Sequence, residues 1–198
     1  MWDVLVEMLS FDYILRALLV GVLVSLCASL LGTSLVLKRY SMIGDGLSHV
    51  GYGAMAIAAA MNVAPLQVAI PVVIAAAFFL LRLSQNSKLK GDALIAILSS
   101  SSLAIGMIVV SVMGVNIDLN SYMFGSILAL SNEDVILSVI SSAVVIILYV
   151  LFYNKIFAVT FDESFSKATG VRANIYNMLI ALLTAVVIVV GMRLMGAL

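Results

Sequence analysis

Six stretches of this chain are apolar over lengths that suit a membrane-crossing helix, and polar residues gather in the breaks between them. They run from Ile14 to Leu37, Met42 to Met61, Leu66 to Leu83, Ala93 to Met113, Val135 to Tyr153 and Ile175 to Met192. A hydrocarbon layer about 30 Å thick takes roughly 17–25 helical residues, so each run predicts one crossing. Asn62 to Pro65 separates the second run from the third, because proline cannot continue the hydrogen bonding of a preceding helix. Pro71 predicts a kink within the third. Tyr122 to Leu130 is too short to span and suits a half-helix packed against protein. The expected fold class is therefore all-α, a polytopic transmembrane helical bundle with about six spanning helices and a short half-helix near 122–130.

Composition supports lipid as the solvent. Of 198 residues, 64% are hydrophobic and only 10% charged, against about a quarter charged in a soluble domain. Mean hydropathy is +1.24. A net charge of zero gives no bulk attraction to nucleic acid. The single cysteine, Cys27, excludes an internal disulfide and reads as a small packing residue. The scattered methionines read as gap-fillers.

Charge adds orientation. Three alternate loops hold Lys38 and Arg39; Arg82, Lys88 and Lys90; and Lys155, Lys167 and Arg172, which is eight of the ten basic residues. Asp118, Glu133 and Asp134 lie on the opposite side. The positive-inside rule then puts the basic loops in the cytoplasm and the N-terminus outside. Arg16 and Arg193, near the outer ends of their spans, are expected to reach for the interface.

Chemistry concentrates in Gly44-Asp45-Gly46-Leu47-Ser48-His49. Asp45 and His49 are four apart, so a helix puts a carboxylate and the only imidazole of the chain on one face, one turn apart. Ionisable groups inside a span are costly and usually face the bundle interior. A carboxylate and an imidazole suit Mn, Fe or Zn, although two ligands are too few for a closed site. The same spacing also fits a structural pair in which Asp45 caps the helix start, or a proton relay. Gly44, Gly46, Gly51, Gly53, Ala54, Ala56, Ala58, Ala59 and Ala60 make this span rich in small residues, which serves close helix packing, a narrow path or a subunit interface. Ser99 to Ser102 are expected to bond their own helix backbone.

A second segment runs from Phe161 to Gly170. Asp162 and Glu163 suit a helix N-terminus, Gly170 suits its C-terminal cap, and Phe161 and Phe165 are spaced to share a face. A short amphipathic helix beside the membrane is expected near 161–170, either an interfacial connector or a docking helix for a cytoplasmic partner. There is no G-x-x-x-x-G-K-[ST] loop for ATP, no H-E-x-x-H and no G-x-S-x-G, so an enzyme is not expected.

Three stretches together resemble the membrane permease subunit of the manganese, zinc and iron ABC importers, the ABC-3 family. They are Leu37-Lys38-Arg39-Tyr40-Ser41-Met42-Ile43-Gly44-Asp45-Gly46-Leu47-Ser48-His49, Tyr122-Met123-Phe124-Gly125-Ser126-Ile127-Leu128, and Phe161-Asp162-Glu163 leading to Ala168-Thr169-Gly170. The resemblance implies a permease that carries divalent Mn, Zn or Fe ions as cargo and holds no permanent cofactor. It implies a second copy of the chain, cytoplasmic ATP-binding subunits that hydrolyse ATP, and an extracellular solute-binding protein, in the cell membrane of a prokaryote. It makes Asp45 and His49 the metal-coordinating pair. It makes Phe161, Asp162, Glu163, Phe165, Ala168 and Gly170 part of the helix that couples to the ATPase. Residues 1–198 are expected to form one permease domain. Family members continue into further spans, so C-terminal helices are expected to be missing. A permease for an organic metal chelate of the siderophore or cobalamin type, and an inactive truncated remnant, are the alternatives.

Overall fold

The computed structural model describes residues 10–38, 40, 42–63, 65–86, 91–113, 125 and 132–196. Its helices are α1 (Asp12–Leu37), α2 (Ile43–Ala60), α3 (Pro65–Asn86), α4 (Gly91–Met113), α5 (Asn132–Leu151), α6 (Tyr153–Phe161), α7 (Glu163–Ala168) and α8 (Ala173–Met195). The fold is all-helical among the described residues, and the six long helices fall on the six apolar runs. Pro71 lies inside α3. The expected half-helix lies outside the described residues except for Gly125. That glycine has φ +67° and sits against the backbone of Met195 and Gly196, where a side chain would collide.

Among the described residues, four helices are long and apolar enough to cross a membrane: α1, α5, the Ala93–Met113 part of α4 and the Ala173–Met192 part of α8. Together with the family resemblance of the sequence, this describes a multi-pass membrane protein. α2 is less apolar because it carries Asp45, Ser48, His49 and Tyr52. Thirteen of its eighteen residues are buried, so protein and not lipid surrounds most of it.

The helices form two groups. α2 packs on α3 and α4, while α1 packs on α5 and α6. Among the described elements no helix of the first group brings its backbone close to α1, α5, α6 or α7; α8 lies close to both groups and is the seam between them. One core joins Leu47, Met55, Val73, Ala77 and Ile95 to Ala185 and Val189 of α8. Another joins Cys27, Leu31, Val145, Tyr149 and Ile156 to Ile180 and Leu183. A third puts Val20 and Val24 against Val190 and Leu194. Cys27 is fully enclosed, as its apolar setting predicts, and its thiol points to the Ser142 carbonyl oxygen at 3.6 Å.

Two details add to the sequence reading. The fifth run does not continue as one helix through Tyr153. The chain turns at Phe152 and restarts as α6, whose buried side is Ile156 and Val159. Arg16 does not reach for the interface alone: its guanidinium donates to Asp12 Oδ2 at 2.6 Å and to Asn132 Oδ1, tying the starts of α1 and α5 together.

Candidate functional site

α2 begins at Ile43, with Met42 at the N-cap and no side chain capping it. Asp45 therefore does not cap the helix. It sits in the first turn, where a negative charge meets the positive end of the helix dipole. His49 follows one turn later, with Nε2 3.5 Å from Asp45 Oδ1. That distance is an electrostatic contact, too long for a good hydrogen bond. The two side chains differ in setting: Asp45 is 58% exposed and His49 12%. His49 Nδ1 is enclosed and has no hydrogen-bonding partner, a condition that costs free energy until something binds it.

Glycines fix the walls around this pair. A Cβ on Gly46 would overlap the Ile95 side chain of α4, and one on Gly51 would stand 2.7 Å from Met192 of α8. Both neighbours thus close tightly on α2. Gly44, beside Asp45, has nothing within 4 Å of its Cβ position. One side of the pair is walled and the other is open. Among the described residues no group of three His, Cys, Asp or Glu comes together as a metal cage, so this pair offers two ligands.

The second segment folds as its caps predict. Asp162 is extended, and its carboxylate accepts from the Phe165 N–H at 2.8 Å to start α7. Gly170 has φ +83°. The Gly170 N–H donates to the Lys167 carbonyl and the Val171 N–H to the Ser166 carbonyl, which is the glycine-ended helix stop. The expected helix over 161–170 is thereby shorter: Phe161 ends α6, Asp162 breaks the chain, and α7 covers only Glu163–Ala168. Phe161 and Phe165 are both 66% exposed, and Ala168 and Gly170 are exposed too. Ser166 is the buried anchor of α7.

Sequence reasoning missed what holds α7 in place. Lys38, just past the end of α1, donates from Nζ to Asn177 Oδ1 of α8 at 2.5 Å. Asn177 Nδ2 donates to Glu163 Oε2 at 3.0 Å. Lys38 Nζ is 3.6 Å from the same Glu163 oxygen, and Lys167 Nζ is 2.7 Å from the other. The Lys38 side chain is only 9% exposed. Burial pushes its ammonium below the ordinary lysine value, with Glu163 pulling the other way. Burial alone would raise Glu163, but bonds from Lys167 and Asn177 and the charge of Lys38 outweigh it, and the carboxyl sits below the ordinary glutamate value. Lys38, Glu163 and Asn177, with Tyr40, Leu81 and Thr160, line a cavity of about 270 Å³ at one end of the bundle.

In the serine run, Ser101 bonds the carbonyls of Ile97 and Leu98 on its own helix, at 2.6 and 3.2 Å. Ser102 instead lines a mainly apolar cleft with Gly53, Ile57 and Val72.

Known proteins extend this picture. Over its length the chain is 32% identical to a probable iron transport system membrane protein of Haemophilus influenzae, of which it covers 70%. It is 28% identical, over 96% of its length, to the manganese transport system membrane protein MntC of Halalkalibacterium halodurans, of which it covers 65%. PsaBC from Streptococcus pneumoniae, solved in complex with Fab, superposes with a TM-score of 0.84 at 29% identity, over all of this chain and 72% of that one. The chain spans about two thirds of the length of such relatives. The family model of ABC 3 transport matches residues 10–198, and the chain belongs to the ABC 3 transport family.

Proposed function

We propose that this chain is a permease subunit of an ATP-driven importer of divalent transition-metal ions, Mn, Fe or Zn. Two copies form the membrane path, separate cytoplasmic subunits bind and hydrolyse ATP, and an extracellular solute-binding protein delivers the ion. The N-terminus faces outside a prokaryotic cell membrane, in keeping with the basic residues of alternate loops. The iron and manganese transport names of the relatives support this reading.

The observation that carries it is the half-open pair of Asp45 and His49. One carboxylate and one imidazole whose Nε2 faces it are the donors a borderline divalent ion takes. Two ligands from each of two copies make four, the usual number for such an ion. The open side at Gly44 is where a second copy has room to approach. A path needs an ion held firmly enough to enter and loosely enough to leave, and a site shared between two copies serves that by opening when they part. Glu163–Ala168 carries the pull of the ATPase, with Phe161 and Phe165 as its exposed contacts.

The test is uptake of radioactive Mn, Fe or Zn by the assembled transporter in vesicles, with Asp45→Ala and His49→Ala. Loss of uptake with unchanged assembly supports the pair as ligands. Uptake and metal preference equal to the unsubstituted chain removes that assignment. Uptake of a metal chelate, undiminished by excess free metal salt, would favour a chelate permease instead.

A further inference from the structure

We infer that Lys38 is a positioning residue that passes the movement of α7 to the Asp45–His49 helix. This rests on the reading that α7 meets the ATPase.

The packing of the bundle sets the problem. Among the described helices the backbone of α7 comes close only to α6 and α8, and Asp45 and His49 lie on α2 in the other group of helices. Among the described elements the backbones of these groups do not come close, so a displacement of α7 has two main routes to α2. One is through α8. The other is along the connector from α1 to α2. Lys38, Glu163 and Asn177 stand at the junction of both: Glu163 is the first residue of α7, Asn177 belongs to α8, and Lys38 opens the connector.

The described residues of the connector are tied to both helices. Lys38 N–H donates to Ser34 O at 3.1 Å and Tyr40 N–H to Leu35 O at 2.9 Å, which fixes its start on α1. Ile43 N–H donates to Tyr40 O at 3.1 Å and Gly46 N–H to Met42 O at 3.1 Å, which fixes its end on α2. Asp45 is the third residue of that helix. Tyr40, two residues after Lys38, is thus bonded to Ile43, two residues before Asp45, which gives a short path from the Lys38 backbone to the start of α2. The hold on Lys38 is firm because its ammonium is nearly enclosed, where removal of its partners leaves an uncompensated charge. The adjoining cavity, which Tyr40 also lines, leaves room for the junction to move.

Coupled sites typically show a 5–150-fold effect, and the experiment reads a ratio of that kind. The chain is assembled with its ATPase subunits in proteoliposomes, and Mn uptake per ATP hydrolysed is measured. Lys38→Met is expected to keep the ATPase bound and hydrolysing, while uptake per ATP falls by about tenfold. Lys155→Met, an exposed basic residue of α6 away from the junction, is expected to leave the ratio unchanged. The exchange Lys38→Glu with Glu163→Lys is expected to recover part of the loss. If Lys38→Met impairs folding, Lys38→Gln, which keeps a donor for Asn177, is read in the same way. An unchanged ratio, or an equal fall in hydrolysis and uptake, overturns the inference while leaving the docking reading intact. Failure of the unsubstituted chain to bind the ATPase would instead sink the docking reading, and the inference with it.

Discussion

Gly53 of α2 lies against the backbone of Ser102 of α4: a Cβ on that glycine would stand 2.7 Å from the Ser102 carbonyl oxygen. Gly106 faces the same contact from α4, its own Cβ position 3.0 Å from the Gly53 Cα. In lipid, where apolar surface gains nothing by leaving the solvent, such close backbone approach is a main source of helix association. Gly53→Val is therefore expected to force α2 and α4 apart at a cost of about 1–3 kcal/mol. A lowered melting temperature in mild detergent, with helix content retained, would show it. A melting temperature equal to that of the unsubstituted chain would show that this contact yields without strain.

Asp45 and His49 are expected to behave as one unit. If both hold the same ion, either alanine substitution should lower uptake by about tenfold or more, and the double substitution should add little to the worse single one. Initial rates of uptake at several metal concentrations would show this. Additive losses would indicate two separate jobs.

The pH response of the α7 anchor follows from the direction of its shifts. The Glu163 carboxyl sits below its ordinary value of 4.5. A group whose folded value is depressed contributes stability that is complete above the unfolded value and is lost as pH falls through the folded one. The anchor is thus expected to hold at neutral pH and loosen in acid below 4.5. Lys38 sits below its ordinary value of 10.5 because burial disfavours its charge. The unfolded chain then binds more protons between the folded value and 10.5, so stability rises with pH across that window. Thermal unfolding across pH would show both trends, and Glu163→Gln should abolish the acid limb while widening the alkaline window, because it removes the charge that holds Lys38 up.

The caps of α7 predict local loosening. Asp162→Ala removes the bond to the Phe165 N–H, a loss of about 1 kcal/mol. Gly170→Ala places a side chain at φ +83°, a strain of about 1 kcal/mol. Either should speed amide hydrogen exchange in α7 by about fivefold while the long helices keep their protection. Unchanged exchange would mean that the Ser166 anchor and the Lys167–Glu163 pair suffice.

Much of this was readable from the chain because the signals are local. Ile14 to Leu37 or Val135 to Leu151 announce themselves through unbroken hydropathy. Asp162 and Gly170 do so through the narrow chemistry of helix ends. The stacking of Asp45 on His49 follows from four-residue spacing. What was not readable depends on partners far along the sequence. Lys38 and Asn177 are 139 positions apart, and nothing in Leu37-Lys38-Arg39 says that the first of its basic residues is enclosed while lysines normally stay wet. The half-burial of the site pair was equally hidden, since it depends on Ile95 and Met192 closing on glycines of α2. α6 had a signal that went unread: Tyr153, Phe157 and Phe161 recur every fourth residue, and their rings stack 4.6 to 5.9 Å apart.

The seam helix is wrapped by its neighbours over half of its apolar window, against 22–28% for α1, α4 and α5. The outer three thus carry the larger exposed apolar faces, and where such faces meet acyl chains a change in bilayer thickness is met first by their tilt. α8 feels the lipid mostly at second hand. It works as a keel: the hull may flex with the water it floats in, while the timber both sides are fastened to keeps its line.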